Sequence, residues 1–289
     1  MTANSPGERI AVIGAGTMGQ GIAQVFAASG YGVTLIDVSE QATKRAVDQI
    51  SAGLERSVER NRLGAAEAEA TMSRLDIATS MKAAADASIV IEAVFEDLDA
   101  KLGVFSSLAD IIGAEALLVS NTSSLSITRL GAATAFPDRV AGMHFFNPVP
   151  VLPLVEIVRG LATSEATIQR LRELAMTIGK TGVVVRDSPG FVVNRILIPM
   201  INEAITCLDH GVAERDDIDA TMRLGANHPM GPLQLADLIG LDVCLDIMAT
   251  LHRDLGEDRY RPSPLLRQMV AAGYLGRKSG RGFHDYPAH

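Results

Sequence analysis

Residues 10–13 (Ile-Ala-Val-Ile) run straight into Gly14-Ala15-Gly16-Thr17-Met18-Gly19, and a helical pattern follows from Gly19 to Ser29, closed by Gly30. The G-x-G-x-x-G spacing recurs by chance in glycine-rich loops. Between a strand and a helix, however, it is the turn of a βαβ unit that receives a pyrophosphate. Gly14 allows the tight turn, Gly16 admits the phosphates, and Gly19 lets the helix lie against the strand. Thr17 and Met18 open that helix, whose N-terminal N–H groups and positive dipole end favour an anion. A second strand pattern, 33–37 (Val-Thr-Leu-Ile-Asp), ends at Asp37, 23 residues after Gly14. A carboxylate there meets the adenosine ribose hydroxyls and repels a 2′-phosphate. Val38 and Ser39 bring no arginine to attract one, so NAD is expected over NADP. The alternative is a glycine turn that holds no ligand.

Downstream the same alternation continues. Helical patterns run from about Glu40 to Arg62, near 65–73, around 100–112 and over 164–178; strand-like runs lie at 88–91, 117–120, 140–145, 154–158 and 182–186. Continuous apolar strands separated by helices predict an α/β fold with a Rossmann-type, mostly parallel sheet covered on both faces. The last strands are not all separated by helices, so the far edge is expected to be antiparallel or irregular. At Asp187-Ser188-Pro189-Gly190 the pattern changes. Ser188 suits an N-cap and Pro189 a first helical position, and helical patterns then dominate at 190–209, 215–223, 232–254 and 264–272. The expected organisation is a NAD-binding domain over 1–187 and an all-helical C-terminal domain over 188–289. A glycine-rich, basic, non-helical tail (276–283) ends the second domain.

Charge and composition exclude several classes. The 289 residues carry 26 Lys plus Arg against 34 Asp plus Glu, a net charge of −8. Nucleic-acid or anionic-membrane binding, which needs a broad basic surface, is not expected; a local basic site for a phosphorylated small molecule stays allowed. Aromatics are only 4% and Trp is absent, so the core must come from Ala, Val, Ile, Leu and Met. Cys207 and Cys244 are too few for a zinc cluster or disulfide framework and read as buried thiols. No metal site is expected. The first ten residues lack the layout of a secretory signal, and no run of 18 apolar residues suggests a membrane span. A soluble, cytoplasmic protein is therefore expected.

Ligands in open α/β sheets bind beyond the carboxyl ends of the strands. Ser123 follows the strand at 117–120, and His144 nearly closes the one at 140–145, so both point to one crevice. Glu156 stands inside the apolar run 154–158, where a lone carboxylate is costly to bury without a partner. His144 is a suitable one, because a carboxylate fixes the imidazole tautomer. Asn194 interrupts the apolar run from Phe191 to Met200. Each has a structural reading too: a satisfied core histidine, a loop hydroxyl, a carboxylate paired with an arginine, a helix asparagine. Gly179-Lys180-Thr181 resembles the end of a P-loop, but position 174 is leucine and a strand follows, so it reads as a turn. No H-E-x-x-H, C-x-x-C or G-x-S-x-G occurs, which leaves metal hydrolysis and serine-elbow chemistry without support.

Five strings carry a family likeness: GAGTMGQGIAQ (14–24), SNTSSL (120–125), HFFNPVPVLPLVEIV (144–158), SPGFVVNRIL (188–197) and HPMGPLQLADLIGLD (228–242). Along nearly its whole length the chain resembles the 3-hydroxyacyl-CoA dehydrogenase family, most of all its short bacterial 3-hydroxybutyryl-CoA members. The resemblance implies a catalytic Ser123, His144, Glu156 and Asn194. It implies cofactor contacts at the glycine loop, Asp37, Glu96, Lys101, Ser123, Asn147 and Lys278. It also implies an acyl-CoA substrate touched by Ser123 and Asn194, and a homodimer formed through the helical domain. The family's coenzyme A phosphate site uses a Ser and a Lys on the long helix after Asp37. Here Gly53 stands for the Ser and Arg60 for the Lys, with Arg56 or Arg62 beside it; a solvated helix face is the other reading of these arginines. An acidic protein taking two anionic molecules must concentrate positive charge at the glycine-loop helix end, Lys101, Lys278 and Arg56–Arg62. Rival readings are a sugar-acid dehydrogenase of the L-gulonate type, a dehydrogenase of carrier-protein-bound hydroxyacyl groups, and a non-catalytic NAD-binding or structural protein.

Overall fold

The computed structural model describes residues 8–287; the outermost residues of the two expected domains, 1–7 and 288–289, lie outside the described residues. The chain forms two compact units that divide between Asp187 and Ser188.

The first unit runs β1 (Arg9–Ile13), α1 (Thr17–Ala28), β2 (Gly32–Ile36), α2 (Glu40–Glu59), α3 (Ala65–Met72), β3 (Leu75–Ala78), β4 (Ile89–Glu92), α4 (Leu98–Ala109), β5 (Leu117–Ser120), α5 (Ile127–Ala132), β6 (Val140–Phe145), β7 (Leu154–Arg159), α6 (Glu165–Thr177) and β8 (Thr181–Arg186). Among the described residues the strands form one sheet in the order β3-β2-β1-β4-β5-β6-β7-β8. From β3 to β6 all pairs are parallel. β6 and β7 are antiparallel, because a short loop returns the chain directly, and β7 and β8 are parallel again. The chain leaves β1 for β2 on one side and later returns to β4 on the other. That reversal opens the crevice a ligand enters in such sheets.

Local chemistry sets the helix starts. Ser39, Asp97, Ser126 and Ser164 accept N–H groups of the first turns of α2, α4, α5 and α6, each cap contributing about 1 kcal/mol. The central strands are apolar and buried, unlike β3 and β8 at the sheet edges; Ile10, Val12, Leu35, Ile91 and Val119 pack with Ile22 and Phe26 of α1 in one core. β3 and α5 are short elements that the periodicity did not signal.

The second unit comprises α7 (Val193–Asp209), α8 (Arg215–Gly225), α9 (Pro232–Ile239), α10 (Leu241–Leu255) and α11 (Pro264–Ala271). Ile198, Ile201, Leu233, Leu241, Met248 and Leu251 centre its core. Two sequence expectations are corrected here. Ser188 and Pro189 do not start a helix: Gly190 and Phe191 take positive φ of 70° and 48°, which breaks the helical path, and α7 begins at Val193. The span 232–254 is two helices, because Gly240 turns the chain at φ 108°. Buried Asp219 accepts the Leu233 and Gln234 amides at the start of α9, at 2.8 and 3.2 Å. Buried Asp237 holds the tail through the Phe283 and His284 amides, both at 2.8 Å.

Candidate active site

The turn after β1 is built for a close approach. Gly14 has φ +105°, and a Cβ there would lie 2.6 Å from the Ala93 carbonyl; a Cβ on Gly19 would lie 1.8 Å from the Gly14 carbonyl. Gly16 differs, with no atom within 4 Å of a Cβ position, so the space above it is open. It also stands as N-cap of α1 without any side-chain cap, so the first N–H groups of α1 remain for an anion. Asp37 is fixed from two sides, Oδ2 accepting the Ala15 amide and Oδ1 the Ser39 amide, both at 2.9 Å. A cleft of about 560 Å³ lies over these residues, with Thr17, Met18, Val38 and Phe95 in its walls. Val38 and Phe95 are 92% and 72% exposed and give the cleft apolar walls on which a ring can pack. Open space at Gly16, an uncapped helix start and an anchored carboxylate fit a dinucleotide.

His144 on β6 and Glu156 on β7 are direct cross-strand partners in the antiparallel ladder. The pleat therefore sends both side chains to one face, and Nδ1 of His144 lies 2.8 Å from Oε2 of Glu156. Both are buried, at 6% and 1% exposure. With Nδ1–H donated to the carboxylate, the basic lone pair sits on Nε2. The Phe146 ring packs on the imidazole with centroids 4.4 Å apart. Asn121, just past β5, accepts the Phe145 amide at 2.9 Å and ties the ends of β5 and β6 together.

Ser123, beyond β5, belongs to a polar network. Oε1 of Glu96 accepts the Thr122 hydroxyl at 2.6 Å, the Ser123 amide at 2.8 Å and the Ser123 hydroxyl at 3.1 Å. Its Oε2 lies 3.4 Å from Nζ of Lys101. Burial would raise the Glu96 carboxyl, but the Lys101 ammonium and the hydrogen bonds from Thr122 and Ser123 outweigh it and hold the group below its ordinary 4.5. Lys101 does not present its charge at the surface. Its side chain is 1% exposed, and Nζ donates to Oε1 of Glu92 at 2.6 Å and to the Val94 carbonyl at 3.1 Å.

The remaining sequence-read residues are each placed within their own unit. Asn147 is exposed in the β6–β7 loop, and Asn194 is the second residue of α7 in the helical unit. Lys278, in the tail of that unit, pairs with Asp242 at 2.5 Å. Arg56 and Arg60 are exposed near the end of α2, Arg60 as its C-cap. A guanidinium nitrogen of Arg56 comes within 3.8 Å of a Cβ position on Gly53, which puts both on one helix face. Sequence reading does not single out Glu92, Ser120, Asn121 or Asp187. Asp187 caps α5 from afar, accepting the Ile127 and Thr128 amides at 3.1 and 2.8 Å. The available signal for Glu92 was an acidic residue closing the apolar run 89–92 with a lysine nine residues later. Among the described residues, no cluster of three or more His, Cys, Asp or Glu could hold a metal ion. Nor, among them, is any helix long and apolar enough to cross a membrane.

Comparison with known proteins agrees with this geometry. The model of the 3-hydroxyacyl-CoA dehydrogenase NAD-binding domain matches residues 9–188, and that of the C-terminal domain matches residues 190–286. A Bacillus subtilis protein named "Probable 3-hydroxybutyryl-CoA dehydrogenase" is 51% identical over 279 residues, 96% of this chain and 97% of its own. The 3-hydroxybutyryl-CoA dehydrogenase of Bradyrhizobium diazoefficiens is 48% identical over 279 residues, 96% of this chain and 95% of its own. The crystal structure of (S)-3-hydroxybutyryl-CoA dehydrogenase from Ralstonia eutropha has a TM-score of 0.94 at 46% identity, covering 97% of this chain and 99% of its own. With both domain models matched and near-full-length relatives at this identity, the chain belongs to the 3-hydroxyacyl-CoA dehydrogenase family and carries that family's NAD-binding domain.

Proposed function

We propose that the chain interconverts L-3-hydroxyacyl-CoA and 3-oxoacyl-CoA with NAD, on short acyl chains such as 3-hydroxybutyryl-CoA. The observation that carries this reading is the buried His144–Glu156 pair, in the same sheet as a glycine cradle that fits a dinucleotide. NAD, when bound, supplies the acceptor for the hydride leaving C3. In the oxidation direction Nε2 of His144 takes the 3-hydroxyl proton as general base. Glu156 holds the ring in the tautomer with the basic lone pair on Nε2 and stabilises the imidazolium that forms. In reduction the imidazolium returns the proton to the substrate oxygen. Ser123 and Asn194 hydrogen-bond substrate oxygens where charge develops. Glu96, Lys101, Asn147 and Lys278 serve the cofactor side, and Arg56 and Arg60 take the phosphates of coenzyme A.

The chain works as a homodimer through its helical domain, in the cytoplasm. The test is NADH oxidation with acetoacetyl-CoA, set against acetoacetate and against NAD reduction with L-gulonate. Turnover of the thioester well above the other two is expected. Preference for L-gulonate would favour a sugar-acid dehydrogenase, and turnover only of a carrier-protein thioester would move the substrate class. NADH binding with no turnover would favour a non-catalytic protein.

A further inference from the structure

Glu92 and Lys101 have no part in the proton transfer above, yet both side chains are buried, at 0% and 1% exposure. A buried ion pair adds little stability over an apolar pair of similar volume, so what it touches is informative. An ammonium has three protons to donate. Around Lys101 stand three acceptors: Oε1 of Glu92 at 2.6 Å, the Val94 carbonyl at 3.1 Å and Oε2 of Glu96 at 3.4 Å. One cation is thus shared by two carboxylates. Oε2 of Glu92 accepts the Ser120 hydroxyl at 2.5 Å, and the Ser120 oxygen accepts the Thr122 amide at 3.1 Å. Oε1 of Glu96 accepts the Thr122 hydroxyl and both the amide and hydroxyl of Ser123. Two routes therefore run from the buried pair to the same loop.

We infer that the Glu92–Lys101 pair is a positioning device for Ser123, acting through Glu96. Without the shared cation, burial would penalise the Glu96 carboxylate with no positive charge beside it to offset the cost. Glu96 would turn outward and release the Ser123 hydroxyl from its fixed direction. The inference rests on the reading of Ser123 as a substrate contact. It gives Lys101 a role in turnover that is separate from any contact with the cofactor.

A double-mutant cycle tests it with acetoacetyl-CoA and NADH both saturating. The pair variant E92Q/K101M removes one charge of each sign, so the net charge of the cluster is kept and Glu96 alone loses its cation. It should lower kcat about tenfold, and S123A alone should lower it about tenfold or more. Combined, the three changes should cost no more than S123A alone to within about twofold, because the pair acts only through Ser123. Loss of packing or fold would instead multiply the two effects. Multiplied losses, or a pair variant with wild-type kcat, would overturn the positioning role while the impaired S123A keeps the substrate-contact reading. Wild-type kcat in S123A would overturn that reading and the inference with it. Should the pair variant fail to fold by circular dichroism, E96A replaces it in the same cycle with the same outcomes.

Discussion

Both oxygens of Asp37 already accept backbone amides, so the carboxylate cannot swing aside from an incoming 2′-phosphate. Asp37→Ala removes that fixed negative charge and should lower the NAD-over-NADP ratio of kcat/KM by about tenfold or more; an unchanged ratio would refute the role. Glu96 makes a pH prediction. Its folded-state carboxyl is held below the ordinary 4.5, with burial opposing and Lys101, Thr122 and Ser123 prevailing. A depressed carboxyl contributes stability above its unfolded value and loses it as pH falls through the folded one. The stability gap between wild type and Glu96→Gln should therefore be full near neutrality and shrink below about pH 4.5, as read by urea unfolding from pH 3 to 7. A gap constant over that range would contradict it. At this scale the sequence was uneven. Glu156 stood out because an acid inside an apolar run needs a partner, and twelve residues separate it from His144 across a return loop. Lys101 read as a cation for phosphates, because nothing local says that a lysine on α4 turns inward to a glutamate closing β4.

The glycine turn and helix α1 act as one element, and its glycines make separable predictions. Gly16→Ala meets no atom within 4 Å and its φ of −72° suits any residue. The variant should therefore keep its fold, losing about 1 kcal/mol at most, while NADH affinity falls about tenfold or more because the methyl fills the phosphate approach. Gly19→Ala collides with the Gly14 carbonyl and should lower stability by about 1–3 kcal/mol even without cofactor. Thermal unfolding and NADH fluorescence titration on both variants check this; equal behaviour of the two would contradict it. Most elements were legible because strands buried on both faces read as continuous apolar runs and the helices as amphipathic stretches, several of them with a capping Ser or Asp. β3 was not, with its pattern of two half-buried and two exposed residues. The break at Gly240 was hidden by apolar periodicity on both sides, and the start of α7 by Ser188 and Pro189, whose capping preferences the positive φ of Gly190 and Phe191 overrides.

For the whole molecule, the proposed reaction requires a chain of net charge −8 to take two anionic molecules. The Lys101 ammonium is shared with the carboxylates of Glu92 and Glu96 inside the fold, so little of its positive charge is left over for an anion. The proposed sources are then the uncapped start of α1 and Lys278 for the cofactor, and Arg56 and Arg60 for coenzyme A. Replacing both arginines by Ala should raise the KM for acetoacetyl-CoA about fivefold with kcat little changed, the mark of lost uniform binding, and should flatten the salt dependence of KM. A KM equal to wild type would return these side chains to a solvated helix face. Proton transfer by His144 under the hold of Glu156 is the proposed chemical step. Its most direct measurement is kcat of His144→Gln for NADH-dependent reduction of acetoacetyl-CoA, with NADH affinity measured alongside. The expected result is a kcat lower by about 10² to 10⁴ with unaltered NADH binding; a kcat close to wild type would contradict the account.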